Sequence, residues 1–454
     1  MSLWRLSDER CRSRSQRARA ALLVGVALLA LLVGPPESWG DEDQPKPVAM
    51  ERLFPGLDES MKDLPAFIRD TDITLYLRSY YMNRENPDGA ENEAWAFGGW
   101  FSYRSGWLFD MFAIGATVYG SAPLYAPDDR DGTTLLKTGQ EGYGVLGEAY
   151  AALRYKDYVL AKGYRQEVSQ GYINREDNRM TPNTFEGLTV GGKLGPVDYL
   201  AGYLWKFKAR NSDDFVYMSE AAGAPASEDG VVMAGVKFSP VAGLKLDLSE
   251  QYGINTFNTV FLQADYTRPL AEDLRLIFGG QFTDQRAVGD QLLTNTSKKD
   301  WDTYNVSAKA GVGYRELTVT LGGSITGDGH TIQAPWGSFP GYLSLIQEDF
   351  QRADEKAILV GVAYDFSKLV TPGLGAFVNV AHGWDAIDPK TRAAAPDQTE
   401  YDLTIDYRPP SGFLLLPTTR NLWFRLRGVI LDRENADQLG WQVRFIVNWE
   451  IPIL

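Results

Sequence analysis

The chain carries almost none of the side chains that usually make or break covalent bonds. It holds two histidines, His330 and His382, and a single cysteine, Cys11, which excludes thiolate zinc sites, disulfide frameworks and histidine-rich metal centres. No His-Glu-x-x-His, Gly-x-x-x-x-Gly-Lys-Ser/Thr or Gly-x-Ser-x-Gly run occurs, and those patterns would mark a zinc protease, a phosphate loop or a serine nucleophile. A serine hydrolase would have to join His330 to Ser324 or Ser338, which are near it only in sequence. No enzyme and no cofactor are expected.

Charge is the richer chemistry. Arg78, Arg154, Arg165, Arg425, Arg427 and Arg444 sit at alternating positions in apolar segments, as do Asp402 and Asp406, and on strands that parity would turn all of them to the inner, polar face. Arginine keeps its charge at any relevant pH and presents a fork that matches a carboxylate bidentately. A row of such forks could hand an anion from one site to the next; alternatively the arginines and aspartates only neutralise one another in a polar wall. A second group, Arg175, Glu176, Asp177 and Arg179, lies in the polar stretch Ser169 to Phe185. Folded inward, opposite charges facing each other across a narrow passage would set up a transverse field that orients dipolar solutes. Standing outward, they would be ordinary surface charges.

These side chains gain a direction only from the elements that carry them. In the last segment Trp441, Val443, Phe445, Val447, Trp449 and Ile451 alternate with Gln442, Arg444, Asn448 and Glu450, and a strand sends alternate residues to opposite faces. A half-buried soluble sandwich strand alternates in the same way. Trp441 and Trp449 near the two ends of the apolar face instead fit the aromatic girdles of a strand that crosses lipid. Leu244/Leu246/Leu248 against Lys245/Asp247/Ser249 repeats the pattern, as does Tyr401/Leu403/Ile405 against Asp402/Thr404/Asp406. About 18 such segments run from 73–82, 94–103 and 107–119, through 185–192 and 355–366, to 400–408, 421–431 and 438–451. Their connections alternate between long polar loops and tight turns such as Lys156-Asp157 and Arg315-Glu316. That alternation predicts an all-β, transmembrane antiparallel β-barrel with short periplasmic turns, long extracellular loops and a wet interior.

Composition agrees. The chain has 454 residues, 44% hydrophobic and 23% charged, with 45 Lys+Arg against 59 Asp+Glu and a net charge of −14. An acidic excess cannot neutralise phosphates, so no nucleic-acid partner is expected. Six arginines precede the apolar run Ala20 to Val33, and Gly34-Pro35-Pro36 breaks it before Ser38-Trp39-Gly40, the layout of a secretory signal over 1–40. Its removal would leave 39 basic and 56 acidic residues, a net charge of −17. Beyond Val33 no apolar run approaches the roughly 20 residues of a spanning helix, so membrane entry must be by strands. The expected organisation is a signal over 1–40, a periplasmic segment over 41–72 and the barrel over 73–454.

Several stretches also resemble the outer-membrane porins of the OprD type. Phe67 to Arg84 is similar to the opening of that family, with its Arg78-Ser-Tyr-Tyr-Met-Asn-Arg84 ending the first strand. Further similarity lies in Arg179-Met-x-Pro-Asn-Thr-Phe-Glu-Gly187, Thr371-Pro-Gly-Leu374, Asn421 to Arg427 and Arg444 to Trp449. The resemblance implies a Gram-negative outer-membrane barrel of 18 strands, monomeric or loosely trimeric, that contacts outer-membrane lipid. It would pass small hydrophilic solutes, often carboxylates or amino acids, through an eyelet with a basic ladder. Arg78, Arg154, Arg179, Arg425, Arg427 and Arg444 fall where the family pattern has basic residues, whereas Asn379 stands where relatives can carry Arg. The alternative is a barrel that does not conduct, acting as a lipid-modifying enzyme or a surface adhesin.

Overall fold

The structure is a computed structural model that describes residues 53–294, 296, 299–410 and 421–454. The expected signal over 1–40 lies outside the described residues. Period-two patterning yields one antiparallel sheet of nineteen strands. They are β1 (Asp72–Glu85), β2 (Glu91–Arg104), β3 (Phe112–Tyr125), β4 (Tyr143–Tyr155), β5 (Val159–Gln166), β6 (Thr184–Leu194) and β7 (Val197–Lys208). The two-residue β8 (Val216–Tyr217) only lengthens the edge of β7, which pairs directly with β9 (Val231–Phe238). There follow β10 (Leu244–Gly253), β11 (Phe257–Ala271), β12 (Leu274–Ala287), β13 (Asp302–Tyr314), β14 (Leu317–Thr326) and β15 (Lys356–Asp365). The last are β16 (Leu374–Trp384), β17 (Gln398–Tyr407), β18 (Leu422–Arg433) and β19 (Gly440–Pro452).

The sheet closes on itself where β1 pairs with β19, setting Leu77 opposite Trp449, Arg78 opposite Asn448 and Met82 opposite Arg444. Closure is what hydrocarbon demands, because lipid offers no partner to the amides of a free edge. The outward face is apolar: Leu321 is 58% exposed, Leu188 59% and Ile358 53%. Tyr155, Tyr158 and Tyr314 are exposed near one end of the wall, and Trp95, Tyr304 and Trp441 near the other, the two girdles that anchor a barrel at its interfaces. Trp441 and Trp449 both lie on the outward face of β19.

Short turns join the strands at one rim, as at 156–158, 195–196 and 315–316. In the turn between β9 and β10, Gly243 has φ 79° and a Cβ there would lie 2.2 Å from the Thr267 carbonyl oxygen, so only glycine fits. Longer loops rise from the other rim, although the fifth, at 254–256, is short. A short helix, α1 (Pro55–Met61), starts with proline at its first turn, where the missing N–H costs nothing. It precedes α2 (Ala66–Arg69) beside the short-turn rim, with Gly106 bonding back to the Phe67 carbonyl.

The interior is less uniformly polar than the pattern suggests. Several loops turn inward and bury apolar side chains against the upper wall. Leu135, Leu136 and Met180 pack on Tyr80, Met82, Ala94 and Ala96, while Leu343 and Phe350 pack on Ala357, Leu359 and Ala381. These plugs narrow the cavity and leave the charged side chains to line what remains.

Candidate functional site

Strand parity sends Arg78 of β1, Arg425 and Arg427 of β18, and Arg444 of β19 to the inner face at the seam where the barrel closes. Arg427 and Arg444 are direct cross-strand partners, and like charges at that spacing repel. Arg425 is held by two bonds to Asp406, at 2.7 and 3.0 Å. Trp423 bonds the same carboxylate at 2.8 Å and lies 4.3 Å from the Arg425 guanidinium carbon. Arg427 has no such counter-ion: its Nε donates to Thr404 Oγ1 at 3.2 Å. Arg444 donates to the Ile346 carbonyl at 2.9 Å. Neither forms an ion pair among the described residues. Arg444 is only 2% exposed and is also bonded to the Gln442 side chain, at 2.5 and 2.7 Å with that amide turned, whereas Arg427 is partly exposed. Of the two, Arg427 is the guanidinium a solute can reach, with Arg444 setting the field behind it.

The third long loop, L3 (167–183), crosses the cavity. Gln170 bonds Asp247 on β10 at 2.8 Å, and Tyr172 shares a 2.8 Å bond with Thr283 on β12. At its far end Arg78 of β1 donates to Asp177 at 2.7 Å and to the Arg179 carbonyl. A segment bonded to β1, β10 and β12 at once can only run through the inside. Arg175 faces Asp177 at 3.1 Å and Glu167 at 3.6 Å, while Glu176 pairs with Arg210. Arg179 is buried at 8% exposure, its Nε donating to the Thr133 carbonyl at 3.0 Å and to Thr134 Oγ1 at 2.7 Å. Burial, with Arg444 and Arg210 nearby, pushes its pKa well below the usual arginine value.

A second loop, L7 (327–355), enters from the opposite side. Its tip is bonded to β17: Glu400 accepts the amide protons of Gln347 at 2.9 Å and Glu348 at 2.7 Å, and Asp402 accepts that of Ile346 at 3.3 Å. Arg433 of β18 pairs with Glu348 at 2.9 Å. L3 and L7 are joined as well, since Asn174 donates to the Ser338 carbonyl at 2.9 Å and accepts from its amide at 3.0 Å. Asp349 on the L7 tip bonds Ser344, and burial, reinforced by Glu348 and Glu176, raises its carboxyl to about 6.

Of the residues singled out from the sequence, Arg78 of the wall bonds Asp177 and the Arg179 carbonyl of L3, Arg444 and Asp402 bond Ile346 of L7, Arg425 pairs with Asp406 within the wall, and Arg427 adjoins Arg444; Arg175 and Glu176 make ion pairs along L3 and with Arg210. Two other residues lie elsewhere. Arg154 sits at the short-turn rim, paired with Asp110 and 4.1 Å from the Trp107 ring. Arg165 corrects the parity assignment. Its register partner is Glu186, bonded at 2.8 Å, on the same face as the exposed Leu188 and Val190, so it points outward near Phe215. The physical reason is that β5 carries no distinct apolar face: Val159, Ala161 and Gly163 alternate with Leu160, Lys162 and Tyr164. The sequence reading missed Glu400 and Asp349. Glu400 shares the parity of Asp402 and was legible as inward, whereas nothing local marks L7 as an inserted loop. The two histidine rings bond threonine oxygens, His330 to Thr331 and His382 to Thr399.

A closed barrel of eighteen long antiparallel strands, girdled by aromatics and narrowed by inserted loops, defines an outer-membrane porin. The family model of outer membrane porins of the OprD family matches residues 65–453, and the chain belongs to that family. Porin D of Pseudomonas aeruginosa is 23% identical over 419 residues, covering 86% of this chain and 92% of its own. Among solved structures, OpdK of Pseudomonas aeruginosa with vanillate has a TM-score of 0.74 at 22% identity, covering 85% of this chain and 100% of its own. OccAB3 of Acinetobacter baumannii has a TM-score of 0.75 at 18% identity, again over 85% of this chain and all of its own. The chain is accordingly a multi-pass barrel of the Gram-negative outer membrane, with its long loops extracellular and its tight turns periplasmic.

Proposed function

We propose that this porin passes small carboxylates or amino acids by diffusion through the gap between L3, L7 and the β18–β19–β1 seam. The reading rests on one observation: Arg427 and Arg444 are cross-strand neighbours on the inner face, and neither makes an ion pair among the described residues. A solute carboxylate would relieve that repulsion, with Arg175 partly exposed on L3 and the buried Arg78 and Arg179 adding positive charge behind it. Glu176, Asp177 and Asp349 on the loops supply the opposite sign, so a dipolar solute would be turned with its carboxylate toward the wall. A planar solute also has a surface to slide on, because Tyr76 and Trp100 stack at 4.0 Å with the Arg78 guanidinium 5.3 and 5.6 Å from their centroids. OpdK, crystallised with vanillate, is in keeping with a carboxylate cargo.

Liposome swelling with aromatic acids, amino acids and neutral sugars of matched size tests the proposal. Carboxylates and amino acids are expected to enter faster than the sugars. Equal rates would remove the selective role of the arginines, and a protein that inserts without conducting in planar bilayers would remove the channel reading itself.

A further inference from the structure

The tip of L7 is tied to the wall by an arrangement the transport reading does not require. Three consecutive backbone amides, of Ile346, Gln347 and Glu348, point at the carboxylates of Asp402 and Glu400. The acceptors are two carboxyl groups of a single barrel strand, so the backbone of the loop tip is satisfied by the wall itself. Glu400 is 0% exposed and Asp402 2%, so water cannot take over the bonds if the carboxylates are lost. The same tip gives its Ile346 carbonyl to Arg444 and places Asp349 inside the cavity. Apart from this contact the tip is held by Arg433 and Gln398 through the Glu348 side chain. Its apolar anchors, Leu343 and Phe350, lie to either side.

We propose that Glu400, assisted by Asp402, is a positioning residue that latches the tip of L7 to β17 and so fixes one jaw of the constriction. The inference builds on the channel reading above and adds what sets the width of the gap. Without Glu400 the amides of Gln347 and Glu348 lose their acceptor, and the tip, left with the contacts of Ile346 to Asp402 and Arg444 and of Glu348 to Arg433 and Gln398, exchanges between docked and undocked positions. Loop and lid motions of this kind fall in the microsecond-to-second range, which single-channel recording resolves.

The test uses the full-length porin in planar bilayers. The wild-type protein is expected to hold one steady open level, and Glu400→Gln to lose it, switching between levels. A paired variant, Gln347→Cys with Glu400→Cys, is favoured by a chain whose lone cysteine is Cys11. Joined after folding by a short bis-methanethiosulfonate linker, each cysteine thiolate displacing methanesulfinate to form a disulfide, it is expected to show the steady level, and to begin switching when the disulfides are reduced by added dithiothreitol in the same membrane. This second arm stands even if Glu400→Gln fails to fold. A steady level in Glu400→Gln, or no change on reducing the linker, overturns the latch. If the wild-type protein never conducts, the channel reading falls instead.

Discussion

At the residue scale the decisive contrast is between arginines that already have a carboxylate and arginines that do not. Arg425, bound to Asp406 through Nε and Nη2, belongs to the wall, and Arg78 is largely spent in holding L3 through Asp177. Arg427, partly exposed, keeps its charge for a passing solute, and the buried Arg444 beside it adds to the field of the gap. A unit charge acting across about 8 Å of water is worth about 0.5 kcal/mol, or roughly a twofold change in local ion occupancy. Arg444→Ala is therefore expected to lower the anion-to-cation permeability ratio by roughly twofold or more, read from the reversal potential in a salt gradient; an unchanged potential would place Arg444 off the route. Arg179→Ala should act in the same direction, because its buried guanidinium lies beside Arg444. Asp349 adds a pH dependence. Its carboxyl titrates near 6, so it is negative at pH 7 and neutral at pH 5. Acidification removes a negative charge from the gap, and anion permeability should rise with a midpoint near 6. Asp349→Asn should hold the low-pH value throughout, and a titration that survives in this variant would assign the effect to another group.

At the element scale, strands were far more legible than loops. Residues 143–155, 197–208 and 317–326 read as strands from alternation and are strands over those bounds. A lipid-facing strand announces itself because one face must be apolar along its whole length. β5 is the counterexample: its two faces do not differ, and its Arg165 was assigned to the wrong side. L7 was illegible for another reason. Its anchors, Glu400, Arg433 and Arg444, come from strands later in the chain, and only the closed fold brings them to the tip of a loop that reads locally as polar surface. Strand geometry has its own test in β2. Gly99 has φ 129°, and a Cβ there would stand 2.0 Å from the Tyr76 carbonyl oxygen of β1. Gly99→Val combines that clash with a backbone region closed to β-branched residues, at a cost of about 1–3 kcal/mol from the strain alone. The variant is expected to lose most of the heat-modifiable, folded band on semi-native gels; full recovery of that band would show that β1 and β2 can separate without penalty.

At the scale of the whole molecule, closure of the sheet gathers Arg78, Arg425, Arg427 and Arg444 at one seam while exposing a row of acids at the extracellular mouth. The chain is acidic overall, 59 Asp+Glu against 45 Lys+Arg, yet the seam that lines the cavity is basic. Acids are exposed on the extracellular loops at Asp88, Asp128, Asp129, Asp214, Asp290, Asp328, Asp388, Glu434 and Asp437, whereas others, such as Glu148 and Glu355, are buried in the barrel or, such as Asp273 and Glu316, lie at the short-turn rim. A solute thus meets a negative mouth first and a positive gap second. Salt separates the two, because the field of exposed charges reaches about 30 Å at 0.01 M but only about 3 Å at 1 M, whereas partly buried charges are screened much less. At low ionic strength the mouth should enrich cations and offset the arginines; at high ionic strength only the gap should speak. The anion-to-cation permeability ratio is therefore expected to rise with salt, measured as reversal potentials under a constant concentration ratio from about 0.01 to about 1 M. Neutralising Asp128, Asp129 and Asp214 together should flatten that dependence at its low-salt end and leave the high-salt ratio where it was. A ratio that falls with salt, or a triple variant that shifts the high-salt value, would mean that one field governs the whole path and that mouth and gap are not distinct filters.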